Sequence, residues 1–398
     1  MVRNIIRISK FMNPAILFCS IWVFTILLFS FNFSDYVEES SMFSVLYIVF
    51  SIFVILIIGT PLKLRVPKFD LDGYKLNNLN IKIVSICFLP LLIFQDISEI
   101  NYFGTLPFLA SFSLSFDGVD YNEVGKIFKF KHNIFVKANS IFLSGFYFFL
   151  YHFGEKKKKY LIGYIFILAI SLLYISRSTL LSIASITFMI YVIKKPLKLK
   201  LIIYILFALV LISYVFDKLY FIRNMGDRNF YLNKYEDLGF IDSVTRGFEG
   251  IYVYIASPIS NLFHNIDIGT FSNYEFRPSY IIRPFLPADL ANLIFGPIDF
   301  NDTVYFPNDS NTFTTFPSML FAFGLIGNIV FYLIFLALSM KYIYYKLILN
   351  PYKWLLILIF FNHIVLFSIF SSSFFNITYY FPLVIAYLFP PLKKIKIV

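Results

Sequence analysis

Long apolar runs are the feature that most limits how this chain can fold. A helix that crosses a bilayer needs about 20 mostly apolar residues. Runs of this kind are predicted at residues 14–34, 43–62, 80–97, 133–153, 159–176, 178–194, 199–216, 317–338, 353–371 and 375–392. Because 59% of the 398 residues are hydrophobic and only 14% are charged, a soluble domain could not bury them. The sequence therefore predicts an all-α polytopic membrane protein with about ten transmembrane helices.

Basic residues between the predicted spans set the predicted orientation. With a cytoplasmic N-terminus, the lysine clusters GEKKKK, KKPLKLK and KKIKIV all face the cytoplasm. The basic start MVRNIIRISK precedes an apolar run without a cleavage site, which predicts an uncleaved signal anchor and cytoplasmic N- and C-termini. Since the basic residues flank spans, the net charge of +11 does not indicate a nucleic-acid partner.

The longest segment between spans carries most of the functional information. The predicted organisation is an N-terminal bundle of seven spans (1–216), an extracytoplasmic loop (217–316) and a C-terminal bundle of three spans (317–398). A 100-residue loop is too long for a connector, so we expect it to be ordered. Its apolar stretches 250–263 and 281–296 are predicted to be amphipathic or re-entrant segments at the outer surface.

Arginine is concentrated on the predicted outer side, whereas most lysines are predicted to be inside. Six of the nine arginines are outside: Arg177, Arg223, Arg228, Arg246, Arg277 and Arg283. A guanidinium binds phosphate or carboxylate through two parallel hydrogen bonds, so these residues favour an anionic ligand near the membrane. The alternative is ion pairing with acidic neighbours, worth about 0–1 kcal/mol per exposed pair. Arg177, in a tight turn between two spans, is the strongest single candidate, and its alternative role is an interfacial anchor.

Two stretches resemble a known family, the O-antigen polymerases, also called Wzy-type oligosaccharide repeat-unit polymerases. The first is YISRSTLLSIA (174–184), and the second is DSNTFTTFPSMLFAFGLIGNIVFYLIFL (309–336). The matching positions are Ser176, Arg177, Ser178, Asn311, Thr312, Thr314, Phe323, Gly324 and Gly327. The chain departs from the pattern at Ala322, where an acidic residue often precedes the Phe-Gly pair.

This resemblance implies a fold, a reaction and a set of partners. It implies a GT-C-like helical bundle with one large outer loop, in the bacterial inner (cytoplasmic) membrane. The implied enzyme is a metal-independent glycosyltransferase, without a cofactor, that joins undecaprenyl-diphosphate-linked oligosaccharide units into O-antigen or capsule. A chain-length regulator and a flippase are implied partners, besides membrane lipid.

The outer residues suggest roles for such a reaction. Arg177 and Arg246 are predicted to stabilise the negative charge that grows on the leaving diphosphate, and His264 or Glu249 to act as the base for the acceptor hydroxyl. The remaining outer residues are predicted to bind diphosphate or glycan: Arg223, Arg228, Arg277, Arg283, Asn311 and Thr312. Glu249 and Asp242 are equally possible ion-pair partners of Arg246, and the sequence does not choose. Asn362 and His363, within a span, are expected to face the bundle interior.

Three other classes of membrane protein fit parts of this pattern. An O-antigen ligase shares the lipid-diphosphate donor but uses a finished lipid core as acceptor. A flippase or transporter is expected to carry charges inside its spans, which are nearly uncharged here. A metal-dependent GT-C enzyme needs an acidic pair in its first outer loop, for which Glu38 and Glu39 are weak candidates.

Overall fold

The structure, a computed structural model, is mostly helical. It describes residues 5–33, 40–61, 68–70, 74–103, 134–154, 157–173, 177–194, 210, 213–214, 240–271, 276–277, 279–286, 288–297, 314–370 and 373–394. Within these residues, three helices are long and apolar enough to cross a membrane: Met42–Gly59, Asn78–Ser98 and Pro317–Leu349. Apolar helices of this kind are as predicted, while the number of spans and their orientation remain predictions.

The regular elements follow one another with few strands. The helices are α1 (Pro14–Ser30), α2 (Met42–Gly59), α3 (Asn78–Phe103), α4 (Ile134–Phe153), α5 (Lys157–Leu173), α6 (Arg177–Lys194), α7 (Phe240–Asp267), α8 (Ser279–Ile282), α9 (Ala288–Phe295), α10 (Pro317–Gly327), α11 (Ile334–Leu349), α12 (Pro351–Phe367) and α13 (Ile377–Leu388). A π-helix, Asn328–Leu333, joins α10 to α11. Short 3-10 turns lie at Lys10–Met12, Arg283–Phe285 and Ser373–Phe375. The strands are β1 (Ile5–Arg7), β2 (Lys68–Asp70), β3 (Tyr74–Leu76) and β4 (Leu392–Lys394).

Most predicted spans coincide with a helix, although several boundaries differ. Helix α5 ends at Leu173 and α6 begins at Arg177, and the residues between them, where a tight turn is predicted, lie outside the described residues. The span predicted at 317–338 continues as helix to Leu349, beyond the end of its apolar run. The span predicted at 199–216 lies largely outside the described residues.

Contacts divide the chain into two compact units. The first unit comprises Met1–Asn78 and Val253–Val398, and the second comprises Leu79–Tyr252. These units cut across the predicted segments 1–216, 217–316 and 317–398, because α1 and α2 pack with the C-terminal helices. Helix α7 begins in the second unit and ends in the first.

Helix α12 is the centre of the first unit. All residues from Leu355 to Val365 are buried, as expected for a helix surrounded by other helices. The Nδ2 of Asn362 donates a hydrogen bond to the carbonyl oxygen of Met12 (2.9 Å), and the ring of His363 packs 4.5 Å from that of Phe367. The expectation that Asn362 and His363 face the bundle interior is confirmed.

Short strands bring both termini to one end of the first unit. Strand β1 pairs antiparallel with β2, and β3 pairs antiparallel with β4. The N-terminus, the connection between α2 and α3 and the C-terminal segment therefore lie together, at what we call the terminal end. The opposite end, where α1 ends and α2 begins, is called the distal end. The sequence analysis did not predict these strands, because three-residue strands carry too little alternation to be recognised.

The second unit is built on three consecutive helices. Helix α4 packs on both α5 and α6, and the phenol of Tyr164 in α5 bonds the hydroxyl of Thr187 in α6 (3.0 Å). Helix α3 joins them through Asn139, whose Nδ2 donates to the carbonyl oxygen of Phe88 (3.0 Å). Since connections within the trio are short, α4 and α6 begin at the same end.

Candidate functional site

The predicted site residues are divided between the two units. Three of the four predicted catalytic residues lie on one helix, α7: Arg246 and Glu249 in the second unit and His264 in the first. The fourth, Arg177, is the first residue of α6 in the second unit. Arg277 and Arg283 lie in the first unit. Four predicted binding residues lie outside the described residues: Arg223, Arg228, Asn311 and Thr312.

The last part of α7 lies across the distal end of the first unit. The ring of Tyr254 stacks 5.5 Å from that of Phe370, just after α12 ends. The ring of Phe263 meets that of Phe29, near the end of α1, at 5.1 Å. Helix α7 therefore contacts α1 and α12 where each of them ends, and it crosses over these two ends. Residues 256–263 of α7 are buried, and the amphipathic or re-entrant placement of 250–263 at the outer surface remains a prediction.

A carboxylate fixes the end of α7 to the start of α2. Asp267, the last residue of α7, accepts from the backbone N–H of Ser41 (2.8 Å), from the Ser41 hydroxyl and from the Ser44 hydroxyl (3.3 Å). Ser41 is the N-cap of α2, and a negative charge is stabilising at a helix N-terminus. Asp267 therefore serves the packing of α7, and His264 is held one turn before this anchor.

Buried polar residues accompany His264 along α7. Ser257, Ser260, Asn261 and Asn265 are all buried, and His264 itself is half-buried. These positions recur every three or four residues, so they share one face of the helix. A polar face that is buried in a helix lying at a bundle end is suited to hydrogen bonding rather than to lipid contact. His264 thus lies beside buried polar residues of its own helix.

Helix α10 is broken within the Phe-Gly-x-x-Gly motif, at Gly324. Gly324 has φ 65° and ψ −177°, a conformation that side-chain-bearing residues rarely adopt. Helix α2 compensates for the break, because the phenol of Tyr47 donates to the carbonyl oxygen of Leu325 (3.0 Å) and accepts from Nδ2 of Asn328 (2.8 Å). Sequence reasoning missed Tyr47 and Asn328, which are far apart in the chain and individually ordinary.

Residues of the large loop pack on this break. The backbone N–H of Arg277 donates to the carbonyl oxygen of Ala322 (3.2 Å), and the ring of Phe276 lies 5.5 Å from that of Phe323. Ala322 is fully buried, so the position where the related pattern often carries an acid is occupied here by a backbone contact. Arg277, half-buried, is thereby fixed beside the first part of α10.

The end of the Asn-Thr-Phe-Thr-Thr stretch belongs to a buried hydrogen-bond network. The N–H of Thr315 donates to the carbonyl oxygen of Ser368 (2.8 Å), and its hydroxyl bonds that of Tyr332 (3.0 Å). Nε1 of Trp22 donates to the hydroxyl of Ser368 (3.1 Å). Thr314 and Thr315 are at most 1% exposed. Thr315 joins the π-helix to the end of α12, whereas the Thr314 hydroxyl accepts from the N–H of Phe316 (3.4 Å).

Arg283 binds the end of a neighbouring helix. Its Nη1 donates to Oδ1 of Asn292 (3.3 Å), and its Nη2 donates to the carbonyl oxygens of Phe295 (3.1 Å) and Gly296. A cation at the C-terminus of a helix such as α9 is favourable. This contact gives Arg283 a structural role, and its predicted contact with a diphosphate remains a prediction.

The first part of α7 runs very close to another backbone. A Cβ placed on Gly247 would lie 1.9 Å from the carbonyl oxygen of Ser213, so only glycine fits there. Arg246, the preceding residue, is half-buried, and Glu249 is exposed. The close approach fixes the position of Arg246 within the second unit.

A lysine that the sequence analysis did not single out contacts the Ser-Arg-Ser turn. Nζ of Lys137, in the first turn of α4, donates to Oγ of Ser178 (2.7 Å). Ser178 follows Arg177 at the start of α6. The available signal was the position of Lys137 inside a predicted span on the predicted outer side, where a charge is costly and tends to be functional.

Among known proteins, no family model, no curated protein and no solved structure matches this chain. Its function is therefore inferred from the chemistry of its own residues. In the second unit these residues provide cations beside the start of an apolar helix. In the first unit they provide buried hydrogen-bonding groups at a bundle end.

Proposed function

We propose that this protein polymerises undecaprenyl-diphosphate-linked oligosaccharide repeat units into a surface polysaccharide, O-antigen or capsule. The transfer takes place at the outer face of the bacterial inner membrane. One observation carries the proposal: Arg177 begins the apolar helix α6, and the next residue, Ser178, is bonded to a second cation, Lys137. Cations at the end of a membrane-type helix are placed to meet a phosphate group attached to a lipid.

The reaction moves a growing glycan from its lipid carrier to a new unit. The hydroxyl oxygen of the acceptor unit forms a bond to the anomeric carbon of the donor, while the bond from that carbon to the diphosphate oxygen breaks. The bonding electrons leave with the lipid diphosphate, and the hydroxyl proton passes to a base. Arg177 and Arg246 stabilise the charge that develops on the diphosphate, as fixed cations do in other transferases.

Two residues are candidates for the base. Imidazole is the side chain most often used as a catalytic base, and His264 lies among buried polar residues of α7. Glu249 lies nearer to Arg246 in the sequence and is exposed. Asp267, by contrast, is engaged at the start of α2 and is not proposed as a base.

An in vitro transfer assay tests the proposal. The full-length protein is reconstituted in nanodiscs, in the presence of EDTA, with synthetic repeat units linked to undecaprenyl diphosphate. We expect ladders of increasing glycan length on a gel. A single addition to lipid A-core would instead indicate an O-antigen ligase. Translocation of the lipid-linked unit across a proteoliposome membrane, without any product, would indicate a flippase.

A further inference from the structure

A groove opens on the surface of the first unit at its terminal end. It has a volume of about 300 Å³ and lies between Pro61, just after the end of α2, and one face of α11. We call it the terminal groove. The residues of α11 that line it recur every three or four positions, and they include Leu338, Lys341, Tyr342, Tyr345 and Ile348. Apart from Lys341, the walls of the groove are apolar or aromatic.

The terminal groove lies at the depth of lipid headgroups. Helix α11 is the last part of the apolar stretch Pro317–Leu349, which is long enough to cross a membrane. Tyrosine and lysine side chains are typical of the end of such a stretch, because their apolar parts face the acyl chains and their polar ends reach water. Tyr342 and Tyr345 are 53% and 55% exposed. Both rings are therefore accessible to a lipid that enters the groove.

A row of aromatic rings joins the terminal groove to two further lysines. The ring of Tyr342 lies 6.0 Å from that of Trp354 in α12, which lies 5.9 Å from that of Tyr387 in α13. Nζ of Lys346 lies 5.1 Å from the ring of Tyr342, and Nζ of Lys353 lies 3.9 Å from the ring of Tyr387. A ring attracts a cation without neutralising it. Two positive charges are thus held beside the groove.

The sequence supplies no acidic residue to balance these charges in the last part of the chain. Residues 310–398 contain six lysines and neither Asp nor Glu. Lys341, in the groove itself, is exposed and forms no ion pair with any residue that the structure describes. Lysines clustered at the headgroup level attract anionic lipids. The apolar walls favour an acyl chain, and a soluble anion would gain nothing from them.

We propose that the terminal groove binds an anionic phospholipid of the membrane, such as phosphatidylglycerol. The ammonium of Lys341 binds the lipid phosphate, and an acyl chain lies along Leu338, one turn deeper in the membrane. Lys346 and Lys353 add to the attraction of the negative charge. A zwitterionic lipid such as phosphatidylcholine carries a cation next to its phosphate, which these lysines repel. The groove therefore distinguishes lipids by their net charge, and it uses none of the residues assigned to polymerisation.

Tryptophan fluorescence can report a lipid in the groove. The chain has two tryptophans: Trp354 contacts Tyr342 at the groove, whereas Trp22 is fully buried. The full-length protein is reconstituted in phosphatidylcholine nanodiscs with increasing fractions of phosphatidylglycerol whose brominated acyl chains quench nearby tryptophan. We expect quenching at lower fractions than with brominated phosphatidylcholine. Lys341→Gln should weaken the preference for phosphatidylglycerol about fivefold, the effect of one lysine at a membrane surface, and Lys341→Arg should keep it.

A second lysine at the same end provides the matched control. Lys394→Gln removes the same charge from an exposed position in β4, outside the groove, and should keep the lipid preference. An equal loss in Lys341→Gln and Lys394→Gln would show diffuse attraction to the whole surface and would overturn the site. Equal quenching of the unchanged protein by the two brominated lipids would also overturn it. Soluble glycerol phosphate should not relieve the quenching, and relief would show a site for free anions instead. None of these results bears on ladder formation, which tests the proposed function separately.

Discussion

The two units use their polar residues in different ways. In the first unit, hydrogen bonds among Trp22, Thr315 and Ser368 join helices. Tyr47 bonds the backbone of α10 next to the break at Gly324. In the second unit, the ammonium of Lys137 bonds Ser178, the second residue of α6, which begins at Arg177. Polar groups that bond one another stabilise a membrane bundle, whereas the start of α6, in the second unit, is where the proposed function places the lipid diphosphate. We therefore expect mutations in the first unit to reduce stability and mutations in the second to reduce activity.

The largest expected effect tests the second unit. Arg177→Ala should lower the rate of ladder formation about 10²–10³-fold, because one preorganised donor to the diphosphate is lost. Thermal unfolding of the purified variant should stay unchanged. Arg3→Ala, at the predicted cytoplasmic N-terminus, is the matched control. A normal ladder from Arg177→Ala would remove this turn from the site.

The next largest effect tests the helix break of the first unit. Gly324→Ala forces a side chain into a backbone conformation that only glycine adopts easily, at an expected cost of about 1–3 kcal/mol of stability. Thermal unfolding in detergent measures this loss. Gly296→Ala is the comparison, because Gly296 also has a positive φ (76°) and a Cβ there meets nothing within 4 Å, so its loss measures backbone strain without a steric contact. Unchanged thermal unfolding of Gly324→Ala would contradict strain at the break.

A smaller loss of stability is expected from the buried network. Thr315→Val keeps the shape of the side chain but removes the hydrogen bond to Tyr332. We expect a loss of about 1 kcal/mol, the usual net contribution of such a bond. Ser339→Ala is the control, because the hydroxyl of this half-buried serine donates to the carbonyl oxygen of Phe335 in its own helix. If Thr315→Val melted normally but lost polymerisation, the first unit would share the chemical role assigned to the second.

The sequence was a good guide to helices and a poor guide to their contacts. Apolar runs predicted α2 and α12 to within a few residues, because a span needs a fixed length of apolar chain. The break at Gly324 was not predicted, since one glycine within an apolar run does not interrupt the pattern. The pairing of Lys137 with Ser178, which are 41 residues apart, depends on how α4 and α6 pack. Hydropathy contains no information about that packing.

The arginines also show that the sequence pattern does not predict which groups a side chain contacts. Their predicted outer position suggested a common ligand, yet the guanidinium of Arg283 binds the end of α9. A loop arginine that anchors a helix and one that binds a substrate look alike in sequence. Only the neighbours in space distinguish them. The position of Lys137 inside a predicted span was a signal in the sequence, but its contact with Ser178 was not predictable from it.

The smallest expected effect concerns the anchor of α7. Asp267→Asn keeps the size of the side chain but removes the charge at the N-terminus of α2. We expect a loss of about 0.3–1 kcal/mol of stability, which is the usual value of a charge at a helix end. If α7 positions His264 for proton transfer, the same variant should also slow polymerisation. A variant that melts earlier but polymerises at the full rate would separate His264 from the reaction, because the anchor one turn away would then have no catalytic consequence.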